Sequence, residues 1–150
     1  MATTKTTKAA ASRNEGGKFT AEEKAAMRER AKEAKAAAAG ADLEQDQLAK
    51  IAEMTGIDRD IAERIAGFIK AEVPSLAART WYGMPAWAKD GKVVCHFQPA
   101  AKFKARYPTF AFTDEAAIDE GNLWPVAWGL QSMTDADLDR LGALIKRAVG

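Results

Sequence analysis

The sequence predicts an α+β domain. It places a mostly antiparallel sheet of about four to five strands between helices on the N-terminal side and one helix at the C-terminal end. Three observations carry this. Apolar residues recur with a helical period from Leu48 to Ile69. The period changes to two from Trp81 to about Leu130, and a helical stripe returns from Leu138 to Ala148. Lys89-Asp90-Gly91-Lys92 sits inside the alternating region and suits a two-residue hairpin turn, because Asp-Gly tolerates the positive φ angles of a type I′ turn.

The elements follow in order. Met1–Lys18 is rich in Thr, Ala and Lys and has too few large apolar residues to offset the entropy of ordering, so disorder is expected. Thr20 and Glu23 have capping-box spacing ahead of an Ala-, Glu-, Lys- and Arg-rich helix that runs to Ala39 and stops at Gly40. Beyond Phe19 its only large apolar residue is Met27, so this helix is expected to be exposed or to await a partner. Residues 1–41 thus read as a basic tail plus an exposed helix, and residues 42–150 as the folded domain. Asp42 starts a second helix, with Leu48, Ile51 and Ala52 as its stripe and Gly56 as its stop. Asp58 is read as the cap of a third, where Ile61, Ile65, Phe68 and Ile69 share a face until Pro74.

A helical turn is expected near Ser75–Ala78, then strands. Val93, Cys95 and Phe97 fall on one face of the strand after the Asp-Gly turn, and Val94, His96 and Gln98 on the other. Thr109–Thr113 and Val126–Leu130 are further strands, with a short helix over Asp114–Glu120 between them. Thr134 caps the last helix.

Composition bounds the function. The chain has 150 residues, 47% hydrophobic and 29% charged, which suits one globular domain. No apolar run approaches the ~18 residues of a membrane span, and the N-terminus lacks the apolar core of a secretory signal. A single cysteine forms no internal disulfide, so a cytoplasmic location is expected. Residues 1–41 carry nine Lys/Arg against five Asp/Glu, and the remainder thirteen against sixteen. The folded part is mildly acidic and shows no nucleic-acid-binding motif, which argues against nucleic acid as a partner.

Tyr82-Gly83-Met84-Pro85-Ala86-Trp87, followed by Asp90-Gly91-Lys92 and an apolar strand, resembles the YdhG-like family, a bacterial domain of unknown function. Lys102-Phe103-Lys104-x-Arg106-Tyr107 and then Trp124-Pro125 look like its actinobacterial branch. The resemblance spans about residues 43 to 149 and implies an α+β fold with a curved antiparallel sheet. Some relatives are described as frataxin-like intracellular iron chaperones, so it also implies iron as a ligand, without a residue motif that assigns the metal to named positions. No other cofactor is called for.

Candidate sites follow from side-chain chemistry. Trp81 and Trp87 lie six apart and would share a face of one regular strand, with Gly83 and Pro85 between them as the floor of a slot. Tyr82 and Met84 complete that segment, and Trp124 and Trp128 offer further walls. Lys102, Lys104 and Arg106 alternate with Phe103, Ala105 and Tyr107. Extended, that segment lines three cations along one side, fit for an anion; as a helical turn or loop it loses the pattern. Cys95 and His96 are adjacent and so diverge in a strand, which removes a nucleophile–base pair. Asp114, Glu115, Asp119 and Glu120 are the densest acidic cluster, with Glu115 and Asp119 at i, i+4 if helical. No acid, base and nucleophile form a set, so binding is expected rather than catalysis. The ligand expected at Trp81–Trp87 and Lys102–Arg106 is a small molecule or anion. The alternative is an interaction module that engages a protein or a second copy through residues 20–39.

Overall fold

The computed structural model describes residues 19–38 and 42–150. The expectations of disorder over 1–18 and of a helix stop at Gly40 fall outside these. Three helices come first: α1 (Ala21–Ala38), α2 (Leu43–Glu53) and α3 (Gly56–Glu72). Strands β1 (Ala77–Trp81), β2 (Met84–Lys89) and β3 (Lys92–Gln98) follow, then the one-turn α4 (Ala100–Phe103). Strands β4 (Thr109–Phe112) and β5 (Ala127–Gly129) and helix α5 (Asp135–Ala148) complete the chain. The sheet runs β1-β2-β3-β4-β5 with every neighbouring pair antiparallel. No described helix is long and apolar enough to cross a membrane.

The core lies between one face of the sheet and helices α2, α3 and α5. Trp87, Cys95, Phe97, Phe110 and Phe112 point into it, against Ile61, Ile65, Ile69, Leu141 and Ile145. Its rings meet edge to face, Phe110 on Phe112 at 5.3 Å and Phe112 on Trp128 at 5.5 Å, the arrangement their quadrupoles favour. Gly142 in α5 is needed because a Cβ there would enter the Phe68 ring, so the absent side chain lets α5 approach α3. Thr134 and Asp137 form a reciprocal capping box that starts α5.

Several local expectations are overturned. Gly56 does not stop α2; at φ +58° it opens α3, after α2 has ended at Glu53. Asp58 does not cap its own helix. Its two carboxylate oxygens accept Ala100 N–H and Ala101 N–H, each at 3.0 Å, and so cap α4 from a distance. Pro99, the residue in the capping position of α4, has no side-chain acceptor to offer. Ala77 and Ala78 belong to β1 rather than to a helical turn. A bulge between Trp87 and Ala88 pairs Ala88 with Val93, so Val94 joins the core and Val93 does not. Asp114–Glu120 is not helical. Ala116 and Ile118 are both buried there, a period of two that a helix would place on different sides.

The largest departure concerns Trp81–Trp87, which is a turn between two strands and not one regular strand. Trp81 pairs with Met84, and Tyr82 and Gly83 form the two-residue connection at φ +53° and +76°. Asp90 and Gly91, at φ +52° and +80°, repeat that geometry in the hairpin the sequence predicts. Pro85 is accommodated because it lies one residue beyond the last β2–β3 pair, Ala86 with His96, where a missing N–H costs that ladder nothing.

Gln47 ties α2 to the first hairpin. Its side-chain amide, 1% exposed, donates to Arg79 O at 3.0 Å and Ala86 O at 2.8 Å, which face one another across β1 and β2. Replacing it by Leu keeps the bulk and removes both bonds. Gln47→Leu is expected to lower the urea midpoint at unchanged m, by a loss of about 1–2 kcal/mol. An unaltered midpoint would show that these bonds hold nothing.

Candidate functional site

In a two-residue hairpin turn the central amides have no partner in the ladder, and a buried N–H needs one. Tyr82 and Gly83 find theirs in α1. The Glu33 carboxylate, 8% exposed, accepts Tyr82 N–H at 3.0 Å and Gly83 N–H at 2.8 Å. Lys102 of α4 donates to Gly83 O at 3.2 Å and to Glu29 at 2.6 Å, and Lys50 of α2 stands 3.6 Å from Glu29. Lys104 pairs with Glu22 at 2.6 Å. Gly83 is required twice over: by its positive φ, and because a Cβ would occupy the space of the Glu29 carboxylate and the Lys102 ammonium.

The helix that looks nonamphipathic is therefore amphipathic in charge. At 100° per residue Glu22, Ala26, Glu29 and Glu33 fall within about 60° of one another and face the domain. Lys24, Arg28, Lys32 and Lys35 lie on the opposite side and are exposed. Ala26 is the one buried apolar side chain described in α1, and no described α1 residue joins the main core cluster. Sequence reading sought an apolar stripe and missed this one; the signal was three glutamates at i, i+7 and i+11.

The contacts differ in strength. Hydrogen bonds from amides to a buried carboxylate contribute about 1.5–3 kcal/mol each, and exposed ion pairs about 0–1. Glu33 on the turn and the half-buried Glu29–Lys102 pair therefore dominate. Lys104 is largely exposed. Its hydrogen bond still holds the Glu22 carboxyl below its ordinary pKa.

The expected site residues separate into four groups. Tyr82, Gly83, Lys102 and Lys104 come together under α1, with Arg30 lying 5.7 Å over the Tyr82 ring. Trp81 sits beside them on the outer sheet face, its ring 5.0 Å from Tyr82 and 5.1 Å from His96; Met84, its cross-strand partner, is buried on that face. Pro85 and Trp87 lie on the inner face, with Trp87 1% exposed and 6.2 Å from Phe110, so Trp81 and Trp87 do not wall a common slot. Arg106 lies apart from them, 4.7 Å over the Tyr107 ring, at an adjoining cleft of about 720 Å³ that includes Ile57 and Leu130 and shares Thr55, Asp58 and Ala101 with the cavity beside Lys102. The alternation of Lys102, Lys104 and Arg106 dissolves because Lys102 is helical and Lys104 ends α4 at φ +52°.

Beside the Glu29–Lys102 pair lies a cavity of about 430 Å³, lined by Lys50, Met54, Thr55, Gly83 and Ala101 among others. Among the described residues no three His, Cys, Asp or Glu side chains gather as a metal set. Glu115 and Asp119 do not share a helix face: Glu115 is near Lys92, and Glu120, next to Asp119, pairs with Arg147 of α5. Cys95 is fully buried, and burial pushes its thiol pKa far up. His96 points to the other face, as the strand alternation predicts.

No family model, no curated protein and no solved structure matches the chain. The geometry alone carries the functional reading.

Burial lowers the pKa of His96 from 6.5, and its Nδ1 is buried with no hydrogen-bond partner. The unfolded chain therefore takes up a proton near pH 6.5 that the folded chain resists, and stability falls as pH drops through that value. The lowered carboxyls of Glu22 and Asp137 act only below their ordinary values of 4.5 and 3.8, outside this window. The thermal midpoint is expected to fall between pH 7 and pH 5, and His96→Phe to flatten that fall. An equal fall in both proteins would remove His96 from the account.

Proposed function

We propose that the chain is a small binding domain that recognises an anion at the β1–β2 turn and α4. One observation carries the reading. Tyr82 N–H, Gly83 N–H and the Lys102 ammonium converge on two carboxylates, those of Glu33 and Glu29. These are donors for an anion, supplied by two separate elements, with Lys50 of a third nearby. Paired backbone N–H groups in a turn of positive φ form an anion-binding concavity, and the adjacent ammonium adds charge. A ligand carboxylate or phosphate would take the place of the α1 carboxylates, and the neighbouring cavity would receive the rest of the molecule.

The aromatic residues play a different part from the one expected of them. Trp81 and Tyr82 flank the anion position as an edge-to-face ring pair, Tyr82 exposed and Trp81 half-buried, and Trp87 supports the sheet from below. The iron-chaperone role implied by the YdhG-like resemblance rests on analogy, and the groups converging on the Glu29 and Glu33 carboxylates, the Tyr82 and Gly83 N–H and the Lys102 ammonium, bind anions rather than metal ions.

The test uses the full chain carrying Glu33→Gln, in which one resident carboxylate is gone. Added inorganic phosphate is expected to shift the Tyr82 and Gly83 amide resonances saturably, and Lys102→Ala to weaken that binding at least tenfold, or about 1.4 kcal/mol. Non-saturating shifts, or shifts indifferent to Lys102→Ala, would overturn the reading.

A further inference from the structure

The anion positions under α1 are spread along a line. Glu22, Glu29 and Glu33 lie seven and four residues apart, about 10 Å and about 6 Å along the helix axis. Lys104, Lys102 with Lys50, and the Tyr82–Gly83 amides answer them in that order. A single small anion reaches one of these stations and not the row. A helix with carboxylates at i, i+7 and i+11 reaches all of them.

From this we infer that the surface formed by the β1–β2 turn, α4 and Lys50 is a docking site for an acidic helix of a partner protein. Helix α1 is its resident, exchangeable occupant. The inference rests on the anion-site reading above and extends it from a single anion to a helical partner.

Three observations support the occupant. The complementarity is electrostatic, since the surface offers ammonium groups and backbone N–H to three carboxylates. The resident helix is dispensable to the core, which is assembled from Ile51 onward. Its outward face is basic, with Lys24, Arg28, Lys32 and Lys35 exposed, so its inward acidity is specific to this surface rather than a property of the whole helix. Charge-assisted hydrogen bonds exchange one carboxylate for another, and Ala26 is the one buried apolar side chain described in α1 that the exchange uncovers. A partner helix can therefore replace α1 while the rest of the fold stands. Tethering to the same chain gives α1 an effective concentration on the order of millimolar, so a free helix competes poorly until α1 is weakened.

The experiment measures binding of a labelled peptide of residues 19–38 to two full-length chains by fluorescence anisotropy. One is wild type and the other carries Glu29→Gln and Glu33→Gln. The disarmed chain is expected to bind the peptide at least tenfold more tightly than wild type. Lys102→Ala in that chain should abolish the gain, and so should the same two glutamine substitutions in the peptide. Raised salt should weaken binding, as screening requires. Equal affinity for both chains would overturn the exchange. No peptide binding by a disarmed chain that still binds inorganic phosphate would overturn the helix site and leave the anion site standing. No binding of either would remove both. Concentration-dependent dimerisation of the wild-type chain, abolished by Glu33→Gln, would replace the partner helix with α1 of a second copy and overturn the assignment.

Discussion

Two backbone amides that the sheet cannot use shape this end of the molecule. Tyr82 and Gly83 turn the chain with positive φ at both positions, which is costly for a residue such as tyrosine, and they leave two N–H groups outside the ladder. The Glu33 carboxylate satisfies both at once. From that bond follow the position of α1, the burial of Gly83 and the placement of Glu29 against Lys102. The proposed anion site follows from this turn's need for an acceptor.

The same device recurs elsewhere in the fold. Asp58 satisfies two amides at the start of α4, where Pro99 cannot. Gln47 donates to two facing carbonyls of β1 and β2. In each case one polar side chain from a helix serves two backbone groups far away in sequence. The aromatic and aliphatic core sets which face of the sheet is covered, and these polar clasps set where its loops and short helix sit. The clasp at Glu33 differs from the other two. Asp58 and Gln47 sit on helices that also contribute to the core, whereas Glu33 sits on a helix from which no described residue joins the core cluster.

Much of the architecture was legible because it depends on periodicity. The stripes of α3 and α5, the Asp90-Gly91 turn and the alternation of Cys95 and Phe97 against His96 all follow from local spacing. The failures have physical causes. Tyr-Gly is a weak turn signal beside Asp-Gly, since the acceptor that makes it tolerable lies 49 residues earlier, in Glu33. Asp58 has the composition of a cap and caps another helix. The bulge opposite Trp87 and Ala88 shifts Val94 into the core, which alternation cannot foresee. The site itself was half legible. Tyr82, Gly83, Lys102 and Lys104 were chosen for their chemistry and do assemble. Trp87 and Pro85 were placed with them by a strand register that the turn breaks. The glutamates that complete the site were invisible to a search for apolar faces.

The dependence of α1 on its carboxylates is most directly read from amide hydrogen exchange at Tyr82 and Gly83. If Glu33 is the acceptor that holds them, both amides exchange slowly in the wild-type chain. Glu33→Gln then accelerates them at least tenfold, while inner amides of β2 and β3 such as Trp87 and Cys95 keep their protection. Fast exchange at Tyr82 and Gly83 in the wild type, or slow exchange that survives the substitution, would contradict the arrangement from which the site is built.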